Sequence, residues 1–206
     1  MSARSDASRW GSVAKFFHWT IALLVIGLLV GGLTMTDMKV SPDKFKLYAL
    51  HKSIGITVLA LMLLRFAWRG VDPRPQDVAG MAPVVAFAAH AVHRLLYVAL
   101  IAMPISGWVY NSASNFPLQW FGLVQLPAIV APDKELKALA HEVHEVLAWT
   151  IIALLLAHVA GALKHHFIDR DDTLRRMLPF AKPRATPATT AAAPASPSSP
   201  APTDTP

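Results

Sequence analysis

Nine histidines and no cysteine set the chemistry open to this chain of 206 residues. Without thiols it can form no disulfide, hold no thiolate-ligated iron–sulfur cluster and attach no haem through a C-x-x-C-H motif. Imidazole is therefore the dominant metal-binding group. His144 and His158 stand 14 residues apart; on one helix that is about 21 Å along the axis and only about 40° in azimuth. A single helix face would then carry two imidazoles at two depths. Neutral imidazoles facing one another from two helices are the bis-axial ligand set of a low-spin b-type haem, and such sites belong in bundle interiors. For any one histidine taken alone, an interfacial or hydrogen-bonded role is an equal reading, so the arrangement decides.

The elements that must position these histidines are apolar. The chain is 54% hydrophobic and 16% charged, with a mean hydropathy of +0.41, against about 45–50% and about 25% in soluble domains. An ordinary soluble globule is excluded. Four segments, about 16–36, 47–68, 84–110 and 143–163, reach the roughly 20 residues that a membrane span needs. The first follows Arg4, Arg9 and Lys15 as a signal peptide would, but it is too long and ends in Gly31-Gly32-Leu33-Thr34-Met35 without a small-x-small cleavage site. The second carries His51, Lys52 and Arg65 near its ends, where long side chains snorkel. The third opens with His90, His93 and Arg94 and holds Pro104, a bend that neighbouring helices allow. The fourth has a polar lead-in at Leu139-Ala140-His141-Glu142 and closes at Lys164-His165-His166. Fold class is therefore all-α: residues 1–180 form one integral membrane four-helix bundle, and residues 181–206, with 7 of the 16 prolines, form a disordered Pro/Ala-rich C-terminal tail.

Four spans put both termini on one side. That side carries thirteen Lys and Arg against six on the other, so the positive-inside rule places both termini in the cytoplasm. The net charge of +6 is mostly orientation signal; no basic element with interleaved aromatics points to a nucleic acid partner. With alternating helix directions His18 comes level with His158, and His51 with His144. Four residues on, Ala22, Gly55, Ala148 and Ala162 leave flat space beside these four histidines, whereas the others have Arg94, Tyr97, Glu145, Asp169 and Arg170 there. The loop over 111–137, with Trp120 and Phe121, is expected along the outer interface.

Other metal readings fit less well. His141-Glu142-Val143-His144 is not H-E-x-x-H, which argues against a zinc hydrolase. The boxes at His90/His93, His141/His144 and His165/His166 suggest a di-iron centre, yet the second lies on the opposite side from the others. His165 lies seven residues beyond His158 and nearly on its face, but past Lys164 and outside the expected hydrocarbon, so His158 is preferred.

These residues resemble the bacterial cytochrome b561 family, the small four-helix di-haem cytochromes related to the membrane cytochrome subunits of Ni/Fe hydrogenases. The matching stretches are Phe17-His18-Trp19, His51-Lys52-Ser53-Ile54-Gly55 through Leu64-Arg65, and His90, His93, Tyr97, Pro104 and Gly107 in span three. The closing run is the most specific: His144-Glu145, His158, Lys164-His165-His166-Phe167, Asp172-Thr173-Leu174 and Arg176-Met177-Leu178-Pro179. The resemblance covers roughly residues 10–179; the tail departs from it. It implies two haem b with His18, His51, His144 and His158 as axial ligands, the set that helical spacing also selects, in a multi-pass protein of the bacterial inner membrane. It further implies electron exchange with quinone, ubiquinone being the expected acceptor. One branch resembles superoxide oxidase and others accept electrons from partner proteins, a choice the scaffold does not make.

The expected activity is thus one-electron transfer through the membrane, as an oxidoreductase or an electron-transfer cytochrome, from a periplasmic donor such as superoxide. Arg65, His93, Arg94 and Lys52 are expected contacts for haem propionates or quinone, with interface snorkelling an equal reading for each. Lys39, Lys44, Lys46 and Lys52 oppose only Asp37 and Asp43, a local +2 on the outer side that would steer an anionic donor; chance decoration explains it as well. Two other classes stay open. One is a haem-anchoring subunit relaying electrons between a partner dehydrogenase or reductase and the quinone pool. The other is a haem-free transporter whose histidines line a proton path.

Overall fold

Apolar windows of mean hydropathy 1.7 to 2.2 lie in each of four long helices. The computed structural model describes residues 2–78 and 80–181; beyond its first residue, the expected tail lies outside the described residues. The helices are α1 (Ser12–Asp37), α2 (Pro42–Val71), α3 (Pro83–Ala113) and α4 (Lys134–Phe167). A hairpin of β1 (Leu118–Trp120) and β2 (Val124–Leu126) separates α3 from α4, and a short α5 (Thr173–Met177) follows. The protein is an all-α membrane bundle with this one small hairpin added.

α2 and α4 start ahead of their apolar windows because capping residues, rather than lipid, set their first turns. The Ser41 hydroxyl accepts from the Lys44 amide at 3.3 Å, Pro42 occupies the first turn and Asp43 faces the helix dipole. Consequently Lys44 and Lys46, which precede the expected second span, stand on α2 together with Lys52, and the connection from α1 is only residues 38–41. Asp133 caps α4 in the same way, accepting from the Leu136 amide at 2.8 Å, and Lys164, His165 and His166 complement the dipole at its other end. At 34 residues α4 is about 51 Å long. It projects beyond a hydrocarbon core of about 30 Å.

Neighbours in sequence pack as neighbours in space, α1 on α2, α2 on α3 and α3 on α4, whereas the backbones of α1 and α4 are held apart. The buried core occupies mid-bundle: Ile21 and Val25 from α1, Val58 and Met62 from α2, Ala99 from α3 and Ile151 from α4. Ile151 lies seven residues from both His144 and His158, two turns either way on the same face.

The two ends of the bundle are built differently. At the end carrying the termini, the buried Asp72 carboxylate accepts from the Ser5 amide at 2.9 Å and the Ser5 hydroxyl at 2.5 Å. The Ser5 hydroxyl oxygen in turn accepts from the Gly11 amide at 2.9 Å, and a Cβ at Gly11 would run into the Ala3–Ser5 backbone. Lys15 and Trp19 donate to the Leu178 and Met177 carbonyls, each at 3.0 Å. The N-terminal segment, the α2–α3 connection and the chain around α5 are thereby stitched to α1. At the opposite end residues 111–132 carry no charged side chain. The Trp120 indole donates to Thr57 at 3.1 Å and the Phe121 amide to Ser53 at 2.9 Å, while Phe121, Leu123 and Val124 stay exposed. An uncharged hairpin presenting apolar side chains suits the membrane interface.

Asp72→Ala is expected to strand the Ser5 donors and cost about 1–3 kcal/mol, read as a lower unfolding temperature in detergent. Asp6→Ala, which removes hydrogen bonds only to the exposed Ser8 and Arg9, should lower it distinctly less.

Candidate functional site

The four histidines selected by spacing meet in two pairs. His18 on α1 faces His158 on α4 with ring centroids 6.1 Å apart, and His51 on α2 faces His144 on α4 at 6.3 Å. Two imidazoles bound to one metal through a ring nitrogen at about 2 Å each stand with centroids about 6 Å apart. Both separations fit. The gap between α1 and α4 supplies width that direct backbone packing would deny.

At the His51/His144 pair an apolar cleft of about 450 Å³, open mouth included, is walled by Leu29, Gly55, Val58, Met103, Pro104 and Ile151 among others. Close backbone approach shapes it: a Cβ on Gly107 would lie 3.2 Å from His144 Cε1, and one on Gly32 3.5 Å from His51 Cε1. His51 Nδ1 is buried without a partner. Ser106 orients the other ring. Its hydroxyl donates to the Met103 carbonyl at 2.7 Å, so its oxygen, 3.0 Å from His144 Nδ1, is placed to accept from that nitrogen. A proton on Nδ1 leaves Nε2 bare, the tautomer a metal requires.

The pair nearer the termini has a more basic surround. Arg65 Nη2 lies 3.4 Å from His18 Nδ1, and its guanidinium stands 5.3 Å from the Tyr97 ring centre. Since guanidinium only donates, this long contact suits a His18 with Nδ1 bare; ligation through Nε2 would require the opposite tautomer and release Arg65. His93 is a third imidazole here, its ring centroid 5.0 Å from that of His158. Sequence spacing had set it aside as a contact for the cofactor's edge.

The other expected contacts are dispersed. Lys52 donates to Asn111 at 3.1 Å, which ties α2 to the end of α3. Lys44 donates to the Met38 carbonyl at 2.7 Å, and Lys46 pairs with Asp43 at 3.0 Å on an exposed surface. Lys39 and Arg94 are exposed. The apparent histidine boxes separate as well: His90 pairs with Asp77 at 3.3 Å, and His141 stacks near Tyr110 at 5.6 Å. His165 is buried, with Nδ1 2.7 Å from Asp171 and 3.1 Å from Asp169. Burial alone would raise the Asp171 carboxyl, yet hydrogen bonds from Thr173 and His165 hold it below the usual carboxylate range.

Ser106 and Gly107 were not singled out as supports of His144. Their signal was present as a small-residue pair just beyond Pro104, but only the register of α3 against α4 shows which ring they serve.

Four membrane-length helices that bring histidines together in facing pairs around an apolar cleft define a membrane cytochrome of the b type. The chain belongs to the prokaryotic cytochrome b561 family, whose model matches residues 9–180. It is 37% identical over 179 residues to Cytochrome b561 homolog 2 of Escherichia coli (strain K12), covering 86% of this chain and 95% of that protein. It is 30% identical over 180 residues to Cytochrome b561 homolog 1 of the same organism, covering 85% and 99%. A Yersinia pestis protein named Probable superoxide oxidase CybB is 29% identical over 164 residues, covering 79% and 91%. Family membership, which the sequence motifs had indicated, carries haem b binding and transmembrane electron transfer with it.

Gly107→Leu is expected to displace the His144 ring and reduce or shift the haem b signal in a reduced-minus-oxidised spectrum. Gly27→Leu, where an added Cβ meets nothing within 4 Å, should leave that spectrum unchanged.

Proposed function

We propose that the protein is a di-haem cytochrome moving single electrons from a periplasmic donor, superoxide, to ubiquinone. In this reading His18 and His158 hold one haem b and His51 and His144 the other. The observation that carries it is the presence of two imidazole pairs, each at a separation suited to a shared metal, separated by about 21 Å along α4. The haems would supply reversible one-electron redox chemistry at two depths. Two superoxide anions would each give up one electron to become dioxygen, and ubiquinone would take up two electrons and two protons to become ubiquinol.

The chain's own residues account for the rest. Ser106 keeps His144 in the ligating tautomer, and Gly107 and Gly32 let the helices approach the rings. Ile21, Val25, Val58, Met62 and Ile151 fill the bundle between the pairs. A dry layer of this kind offers no hydrogen-bonded path for protons, which favours electron transfer over the transporter reading. The excess of Lys and Arg at the termini end supports an inner-membrane orientation with both termini in the cytoplasm. At the opposite end Lys39, Lys44, Lys46 and Lys52 keep a local positive excess attractive to an anion. The name of the Yersinia pestis relative supports the same donor.

The purified full-length chain should contain two haem b, and His51→Ala or His158→Ala should each lower this to about one; a wild-type content of none or one would sink the reading. Replacing Lys39, Lys44 and Lys46 by Gln should slow superoxide-driven haem reduction and flatten its salt dependence, measured by stopped-flow absorbance. Rates unchanged at low salt would remove the steering role. Stoichiometric co-purification with a dehydrogenase would favour the anchoring reading.

A further inference from the structure

The end of the bundle that carries the termini holds a second cleft, distinct from the one at His51. It lies between α1, α2 and α3 and is lined by Trp10, Ala14, Arg65, Trp68, Arg69 and Tyr97, with Asp72 and Met177 at its edge. We propose that this cleft is a carboxylate-binding site, and that its carboxylate is a propionate of the haem held between His18 and His158. The inference rests on the assignment of that haem to that histidine pair.

Unspent donors are what identify the ligand. Trp68 Nε1 and the Tyr97 hydroxyl are both buried without a hydrogen-bond partner. Buried polar groups are almost always paired in native structures, so two orphans on one small cleft mark a missing acceptor. Arg65 and Arg69, one turn apart on α2, add two guanidinium groups. Each rests against an aromatic ring, Arg65 at Tyr97 and Arg69 at Trp10, 5.3 and 5.1 Å from the ring centres, and among the described residues neither forms an ion pair. Asp72 is the one carboxylate lining it, and each of its oxygens already accepts one hydrogen bond from Ser5. The cleft therefore offers two cations, an indole N–H and a phenol against a single carboxylate, an excess of positive charge and of donors. A carboxylate from outside the chain, with two acceptor oxygens suited to guanidinium, satisfies all of them.

Position selects the source of that carboxylate. Arg65 reaches from the cleft to within 3.4 Å of His18 Nδ1. Tyr97 stands one turn along α3 from His93, whose ring lies 5.0 Å from that of His158. Arg65 and Tyr97 thus link the cleft to the histidine cluster at this end. Ligation of His18 through Nε2 would free Arg65 from its nitrogen, and the nearest unsatisfied groups it could join are those of the cleft. Of the expected propionate contacts, Arg65 lines this cleft, whereas Lys52 is tied to Asn111 and Arg94 is absent from its walls. Arg69, Trp68 and Tyr97 are added.

The test is a redox titration of both haems in the full-length protein, comparing wild type with Arg69→Gln, Trp68→Phe and Tyr97→Phe. A nearby cation favours the reduced haem, so Arg69→Gln is expected to lower the midpoint potential of one haem and leave the other in place. The two donor deletions should shift the same haem downward by less. These shifts should be equal in detergent without added lipid, in anionic phospholipid nanodiscs, and with or without ubiquinone. Unmoved potentials with two haems per chain overturn the proposal alone. A shift that appears only with anionic phospholipid, or only with ubiquinone, assigns the cleft to a lipid phosphate or a quinone carbonyl and also overturns it. A wild-type protein without two haems overturns the underlying reading and this proposal together. If Arg69→Gln loses haem, the two conservative variants decide.

Discussion

An imidazole in hydrocarbon must find a partner for each ring nitrogen or be costly to bury. This chain places four of them along one bundle axis, and much of its architecture follows from giving them partners. Ser106 takes the Nδ1 proton of His144 because its own proton is already committed to Met103. Gly107 carries no Cβ where one would crowd the His144 ring. The backbones of α1 and α4 stand apart, and the rings of His18 and His158 reach across the interval. In a bundle designed only for close packing, helices that are first and last in sequence would close upon each other.

The absence of thiols and the 14-residue repeat of His144 and His158 made the pairing legible before any coordinates, because helical pitch converts that spacing into one face and two depths. Alternating helix direction then matched each imidazole to a partner. What could not be read was side-chain engagement. Lys52 carries a charge at the right depth for a cofactor contact, yet Asn111, 59 residues away in sequence, claims it. His165 lies nearly on the face of His158, yet the turn after α4 brings Asp169 and Asp171 back onto it. Helical periodicity has no term for a loop that folds back. The start of α2 is a different case: Ser41-Pro42-Asp43 is a helix-start signal, and hydropathy alone masked it because the first turns of that helix are polar.

Separation of charge types through the membrane depends on what lies between the histidine pairs. Ile151 sits midway between the two α4 histidines and is 1% exposed, and Ile21, Val58 and Met62 close around it with similar completeness. This layer presents only apolar side chains, which give a file of water no hydrogen-bond partners. A membrane protein that passed protons along its histidines would need polar side chains or water at this level. The same layer would let two redox centres remain distinct, each tuned by its own surroundings: serine and an apolar cleft at one end, arginines and a third imidazole at the other.

That asymmetry extends to the bundle ends and constrains where each reaction partner can arrive. The termini end is closed by hydrogen bonds between segments distant in sequence, Ser5 to Asp72, Arg176 to Gln76 and Lys15 to Leu178. The hairpin end is hydrogen-bonded to α2 through Ser53 and Thr57 and to α3 through Trp108 and Ser112, and its uncharged 111–132 stretch exposes Phe121 and Leu123. A small anion arriving from water would therefore meet lysines on and before the first turns of α2 rather than the hairpin itself. In the proposed reading an apolar quinone would instead approach from the lipid, and quinol formation would need protons delivered to its site. At the termini end the buried His165 with Asp169 and Asp171 forms a polar cluster that the hairpin end, uncharged over 111–132, does not match.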